Sequence, residues 1–122
     1  MDVDEGVDFI HVSATMTREG MKEMFNGAFI QLASAIKKAV DVPIICVGAV
    51  KTIDRAEEIL VQRDADLVAL GRALVADPGL FTKTLNDQEA EIVECLNCWK
   101  CGRSIGDDDG NGMKCAQNPD LP

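Results

Sequence analysis

The chain has 122 residues, 47% hydrophobic and 27% charged, a balance typical of one globular domain and not of a disordered segment. Its 21 acidic and 12 basic side chains give a formal net charge of −9, which argues against binding to nucleic acid or to an anionic membrane surface. No stretch approaches the roughly 18 to 20 apolar residues of a membrane span, and the amino terminus, MDVDEGVD, is acidic where a signal peptide is basic; we expect a cytoplasmic protein whose thiols stay reduced.

A short strand is predicted close to the amino terminus, at residues 8–13 with the sequence DFIHVS. Alternation along this strand places Phe9, His11 and Ser13 on one face and Ile10 and Val12 on the other. Residues 14–26 are polar and show no clean period, which predicts a long loop.

Two strands and two helices follow in alternation. The segment 27–40 carries apolar residues at helical spacing, with Asn26 as a plausible N-cap, and the stripe comprises Phe29, Leu32, Ala33, Ile36 and Val40. A continuous apolar run at 42–50, VPIICVGAV, predicts a strand buried on both faces, in which Cys46 is a core residue. Thr52 is the expected cap of a helix over 53–63, whose apolar stripe is Ala56, Ile59 and Leu60.

A third buried strand is predicted at 65–71, ADLVALG, and two short helical pieces lie beyond it, the second with Asp77 as N-cap and Pro78 in its first turn. The order of strand and helix, repeated three times, predicts a parallel α/β unit. Three strands present two unpaired edges, so the unit is either a small covered sheet or one part of a larger barrel.

Ligands bind at the carboxyl ends of parallel strands, which here are Ser13-Ala14, Gly48-Ala49 and Gly71-Arg72. Each glycine would allow the backbone to approach a ligand, and Arg72 offers a guanidinium to a phosphate. Both features are also compatible with ordinary turns. His11 is the sole histidine; it is either a packed or solvated strand residue or a donor that faces a ligand.

Cysteines dominate the segment 94–119, ECLNCWKCGRSIGDDDGNGMKCAQNP, where Cys95, Cys98 and Cys101 are spaced by three and Cys115 follows later. Three thiols in one tight loop with a distant fourth are typical of a [4Fe-4S] cluster. Structural zinc sites usually divide their ligands two and two, and a disulfide framework expects a secreted chain; both remain alternatives. Trp99 is expected to shield the metal from water.

Part of the same segment matches the first half of an EF-hand calcium loop, at Asp107, Asp109, Asn111 and Gly112. The position of the bidentate glutamate is occupied by Asn118, and Cys115 interrupts the loop. We therefore interpret these residues as a solvated acidic turn.

The stretches VPIICVGAVKTIDRAEEIL, ADLVALGRALVADPGL and the cysteine segment ending in CAQNP resemble the carboxyl-terminal part of the flavin barrel of Old Yellow Enzyme-like oxidoreductases. The resemblance is to their iron-sulfur branch, the group of 2,4-dienoyl-CoA reductase and trimethylamine dehydrogenase. It runs from about residue 6 to residue 119, and it depends on the combination of GR after the last strand, the following DP, and cysteines that close before NP.

This resemblance implies the last three βα units of a TIM (β/α)8 barrel over residues 1–93, followed by an iron-sulfur loop over 94–122. It implies that Gly48, Ala49, Gly71 and Arg72 bind the phosphate of FMN, and that the four clustered cysteines hold a [4Fe-4S] cluster that relays electrons. The family's first five strands and its further nucleotide-binding domains have no counterpart here.

We therefore expect a part of an NAD(P)H:flavin oxidoreductase that is inactive by itself, requires the missing barrel segment or a partner chain, exchanges electrons indirectly with NAD(P)H or another carrier, and can oligomerise. The alternatives are a small zinc-stabilised binding module and a non-catalytic remnant of such an enzyme.

Overall fold

The structure is a computed structural model, and it describes residues 6–13, 27–105 and 112–121. The chain divides into two compact units, Met1–Leu70 and Gly71–Pro122. This division follows the contacts between Cα atoms. The predicted boundary between residues 93 and 94 divides the chain by function, into a flavin-binding region and a cluster-binding loop, and it stays a prediction.

The first unit is a parallel sheet with helices between its strands. The strands pair in the order β1-β2-β3, all parallel, with Ile10 opposite Ile44 and Cys46 opposite Val68. The predicted parallel α/β arrangement is therefore confirmed. In chain order the elements are β1 (Ile10–Val12), α1 (Ala28–Lys37), β2 (Ile44–Val47), α2 (Ile53–Val61) and β3 (Leu67–Ala69). The loop predicted for 14–26 and its Asn26 cap lie outside the described residues; the N-cap of α1 is Gly27.

The core of this unit forms where α1 and α2 cover the sheet. The side chains of Ala33, Ile44, Cys46 and Ile59 are fully buried. Ile10 and Val12 face this core, whereas Phe9, His11 and Ser13 are exposed. The predicted alternation of the first strand and the core position of Cys46 are confirmed.

Three expected core positions are exposed instead. In α1, Leu32 is 45% exposed and Ile30 is buried in its place. The helix starts at Ala28, and it turns the face that carries Ile30 toward the sheet. Leu60 in α2 is 40% exposed. In β3, which pairs with β2 at the margin of the described sheet, Leu67 is 51% exposed.

Two polar contacts fix the ends of these elements. The Thr52 hydroxyl accepts a hydrogen bond from the Arg55 backbone N–H at 3.2 Å, so the predicted helix cap is confirmed. The Asp66 carboxylate accepts from the Ile44 N–H at 2.9 Å and from Lys37. The Lys37 hydrogen bond, followed by that of Ile44, lowers the pKa of Asp66.

The second unit consists of short helices and extended chain. Its helices are α3 (Arg72–Ala76), α4 (Leu80–Leu85), a 3-10 turn (Glu89–Glu91) and α5 (Lys100–Ser104). The prediction of Asp77 as the N-cap of α4 is wrong, because the N-cap is Gly79. Asp77 instead closes the turn before the helix, where its Oδ1 accepts from the Gly79 N–H at 2.9 Å. Within the described ranges, no helix is long and apolar enough to cross a membrane.

Candidate functional site

Gly48 and Ala49 form a bend at the carboxyl end of β2. Their φ angles are 137° and 53°, so two successive residues have positive φ, and one of them carries a Cβ. A non-glycine residue in this region is strained, and such strain is concentrated at ligand-binding and catalytic positions. This bend therefore fits a close approach of backbone to a ligand. At the end of β1, Ser13 and His11 are exposed, and Ala14 lies outside the described residues.

Gly71 and Arg72 begin the second unit. Gly71 has φ −103° and ψ −87°, and a Cβ built on it would meet no atom within 4 Å. The backbone at Gly71 is thus open to an approaching group. The partly buried guanidinium of Arg72 lies over the ring of Trp99, with its carbon 4.7 Å from the ring centre.

The first two clustered cysteines lie on a sharply bent loop, and Cys101 lies in the first turn of α5, which follows that loop. Asn97 and Trp99, the residues on either side of Cys98, both have positive φ, 55° and 61°. The Asn97 N–H donates a hydrogen bond to the sulfur of Cys95 at 3.4 Å. Hydrogen bonds to a ligand sulfur favour its thiolate form and tune the metal that it binds.

Ser104 brings the chain at the fourth cysteine next to the third. Its buried hydroxyl donates to the Cys101 carbonyl at 3.0 Å and accepts from the Lys114 N–H at 2.8 Å. Lys114 directly precedes Cys115, so one side chain connects the backbone segments of these two cysteines. The acidic turn predicted at Asp107, Asp109 and Asn111 lies outside the described residues.

All four clustered cysteines are free thiols; Cys98 is exposed, and the other three are partly buried. In the described part of the chain, no three His, Cys, Asp or Glu side chains are placed to hold one metal ion. A structural zinc ion needs its ligands gathered around a single centre, whereas a [4Fe-4S] cluster presents a separate iron to each of four thiolates. By donor type the four thiols fit either a [4Fe-4S] cluster or a structural zinc ion.

Cys46 is chemically distinct from the other cysteines. Burial, followed by the charge of Asp64, raises the pKa of its thiol, while Arg55 acts in the opposite direction. Metal ligands must be thiolates, so this cysteine is unsuited to ligation at neutral pH.

Trp99 occupies a tight position between the second and third cysteines. A Cβ at Gly102 would lie 2.9 Å from Cε3 of the indole, so the glycine makes room for the ring. The indole N–H is buried and has no hydrogen-bond partner among the described residues. That Trp99 shields a metal stays a prediction.

Asp77 bonds to the chain just before the cysteine segment, Asn118 lies near the end of that segment, and neither was predicted to be a site residue. The Asp77 carboxylate accepts from Lys83 Nζ at 2.6 Å and from the Val93 N–H at 2.8 Å, and these two hydrogen bonds are the main causes of its lowered pKa. The Asn118 side chain donates to the Val75 carbonyl at 3.1 Å. The signals were the DP and NP dipeptides, whose polar residues each precede a proline.

Known proteins resemble this chain over most of its length. Residues 2–91 match the NADH:flavin oxidoreductase / NADH oxidase family. An NADH oxidase from Thermoanaerobacter brockii is 37% identical over 101 residues, which cover 78% of this chain and 15% of the oxidase. A bilirubin reductase from Mediterraneibacter gnavus is 31% identical over 102 residues, covering 78% of this chain and 16% of the reductase.

A solved structure shows the same fold. The 6-hydroxypseudooxynicotine amine oxidase of Pseudomonas geniculata N1 superposes with a TM-score of 0.69 at 25% identity, covering 78% of this chain and 14% of the oxidase. This chain therefore spans 14% to 16% of the length of the three proteins compared.

Proposed function

Because the chain belongs to the NADH:flavin oxidoreductase / NADH oxidase family, as its sequence resemblance predicts, we propose that it supplies the FMN-phosphate residues and the iron-sulfur ligands of such an enzyme. In this proposal its sheet is the last part of an eight-stranded flavin barrel, and its cysteine segment belongs to the iron-sulfur branch of the family. Bound FMN would accept or donate hydride, and a [4Fe-4S] cluster would pass single electrons.

Phosphate binding is assigned to residues at two strand ends, each in its own unit. The bend at Gly48 and Ala49 has positive φ at both residues, a backbone shape that suits the close approach of a ligand, and Gly71 leaves space where its side chain would be. Arg72 adds a guanidinium, whose fork of N–H donors matches the oxygens of a phosphate, so in this proposal it binds the phosphate of FMN and not the ring.

Cluster ligation is assigned to Cys95, Cys98, Cys101 and Cys115. The Asn97 N–H donates a hydrogen bond to the Cys95 sulfur, and Ser104 joins the backbone at Cys101 to the backbone next to Cys115. Trp99 excludes water from the loop by lying against Gly102.

The contact between Arg72 and Trp99 carries the proposal. It places the candidate anion-binding residue against the residue between two candidate cluster ligands, inside one compact unit. An enzyme that exchanges electrons between flavin and cluster needs both groups to be held by neighbouring protein segments.

The catalytic function requires more barrel strands than the described residues form. A complete barrel has eight parallel strands, and the described residues form three. We propose that the other strands come from the same polypeptide or from a partner, that NAD(P)H or another carrier exchanges electrons with this assembly, and that this chain by itself reduces no substrate.

Metal and sulfide analysis of the chain purified without oxygen tests the proposal. We expect brown protein that contains about four irons and about four sulfides per chain. Colourless protein with about one zinc per chain would instead support a zinc-stabilised module. Protein that takes up neither metal after reconstitution would reject ligation by these cysteines.

A further inference from the structure

The cysteine segment, residues 94–119, is joined to the chain from α3 to α4 just before its beginning and again near its end. Neither tie involves a thiol. We propose that Asp77 and Asn118 are positioning residues that hold both ends of this segment in place before any metal binds. The inference rests on the proposed function, because it takes the four clustered cysteines to be ligands.

The beginning of the segment is held by Asp77. This carboxylate is 4% exposed, and its Oδ2 accepts from the Val93 N–H, two residues before Cys95. Lys83 donates to the same oxygen and, at 2.9 Å, to the Glu91 carbonyl. The backbone from residue 91 to residue 93 is thus fixed by a charged pair that is largely removed from water, where such hydrogen bonds are strongest.

The end of the segment is held by Asn118, three residues after Cys115. Its amide donates to the Val75 carbonyl, which lies in the last turn of α3. The last carbonyls of a helix have no donor within the helix, so Asn118 satisfies a group that would otherwise need water. Pro119 also restricts Asn118 to extended backbone, which narrows the directions that its side chain can take.

Between these ties, Ser104 connects Cys101 to Lys114. Hydrogen bonds to other protein groups therefore hold the segment at its beginning, near its third cysteine and near its end. Small zinc domains whose loops are organised by the metal unfold when it is removed. Here the supports are amide, hydroxyl and carboxylate groups, so we expect the metal-free segment to remain folded.

Alkylation of the metal-free chain tests this directly. The rate of iodoacetamide modification is measured at each cysteine by peptide mass spectrometry, in wild type and in Asp77→Asn, Asn118→Asp and Asn118→Ala. Losing a neutral hydrogen bond costs about 1 kcal/mol and losing a charged one about 1.5 to 3 kcal/mol. Local opening and the alkylation rate should therefore rise about fivefold at Cys115 in both Asn118 variants, and at least about tenfold at Cys95 in Asp77→Asn.

Two matched variants and one internal reporter separate positioning from general destabilisation. Asp87→Asn and Asn86→Asp make the same charge changes at exposed positions of the same unit and should leave all rates unchanged. Cys46 is fully buried in the first unit and reports unfolding of that unit. If Cys46 reacts faster in step with the other cysteines, or if no rate changes, the positioning role is rejected.

Cluster reconstitution provides the second measurement. The Asp77 and Asn118 variants should take up iron and sulfide more slowly than wild type and to a lower final content. Wild-type chain that takes up none rejects the cluster and leaves the alkylation result to decide the positioning role. Wild-type uptake with equal uptake and equal alkylation in all variants overturns the positioning role alone.

Discussion

The guanidinium carbon of Arg72 lies 4.7 Å from the centre of the Trp99 ring, so the first residue of α3 rests on the residue between the second and third clustered cysteines. A cation over an indole is stabilised by about 0.5 to 2 kcal/mol, depending on how dry the contact is. The contact limits the directions available to the Arg72 side chain. Changes at either residue should therefore be detectable at the other.

Substitution of Arg72 should affect flavins according to their phosphate. In an assembly that contains the rest of the barrel, Arg72→Ala should weaken FMN by roughly ten- to hundredfold, because a charged hydrogen bond contributes about 1.5 to 3 kcal/mol. Riboflavin has no phosphate, so its affinity should change little. Equal losses for both flavins would mean that Arg72 contacts the ring or supports the fold. Arg63→Ala, at an exposed arginine of the first unit, is the control.

Intrinsic fluorescence can follow the same contact, since the chain has one tryptophan and no tyrosine. Removing the guanidinium in Arg72→Ala should expose one face of the Trp99 ring to water and shift its emission to longer wavelength. Arg63→Ala should leave the spectrum unchanged. An unshifted Arg72→Ala spectrum would argue against the stacked arrangement.

The four clustered cysteines should differ sharply from the fifth. Each of Cys95→Ser, Cys98→Ser, Cys101→Ser and Cys115→Ser should abolish or severely reduce incorporation of iron and sulfide, because each thiolate holds one iron. Cys46→Ser should retain the wild-type content, since Cys46 lies in the core and its thiol resists ionisation. Loss of iron from the Cys46 variant together with retention in the Cys115 variant would show that the fourth ligand is assigned wrongly.

The contribution of Asp77 to stability should disappear in acid. Its pKa is lowered by the Lys83 hydrogen bond first and by the Val93 N–H next. A carboxyl with a lowered folded pKa stabilises the fold at pH above its unfolded value of about 3.9, and this stabilisation is lost as the pH falls through the folded value.

Urea unfolding of wild type and Asp77→Asn between about pH 6 and about pH 3 measures this loss. The wild type should be more stable by about 1.5 to 3 kcal/mol at pH 6, and the difference should shrink below about pH 4. If the difference in unfolding free energy did not change with pH, the effect of the substitution would come from the shape of the Asp77 side chain and not from its charge. Asp87→Asn, at an exposed position, is the control.

Sequence periodicity predicted the sheet because burial and alternation are local properties. The strands, the Thr52 cap and the core position of Cys46 follow from residues within a few positions of one another. The parallel pairing follows from the helix that separates each strand from the next. The sequence did not predict that Leu32 and Leu67 are exposed, because their exposure depends on where α1 starts and on which strands flank β3.

The sequence predicted which residues belong to the candidate site, but it did not predict the contacts that hold them. Spacing identified the clustered cysteines, but the Ser104 bridge joins residues 101 and 114 through a side chain that no motif marks. Likewise, Asp77 was predicted to cap α4, and its bond to Val93 spans sixteen positions. Such contacts depend on tertiary packing, which a single sequence does not display.

The chain by itself should associate through its sheet. β1 and β3 are the outer strands of the described sheet, and edge strands with apolar neighbours recruit other strands. Phe9, next to β1, is 54% exposed, and Leu67 within β3 is 51% exposed.

Burial of one such side chain contributes about 1.5 to 3 kcal/mol, so Leu67→Lys should weaken association at least about tenfold. Leu85→Lys makes the same change at an 83% exposed site on α4, in the second unit, and should leave association unchanged. Sizing chromatography over a range of concentrations, with and without FMN, gives the measurement. Equal weakening by both lysines would indicate general surface stickiness, and a wild-type monomer that binds FMN tightly and oxidises NADH would show that no further barrel strands are required.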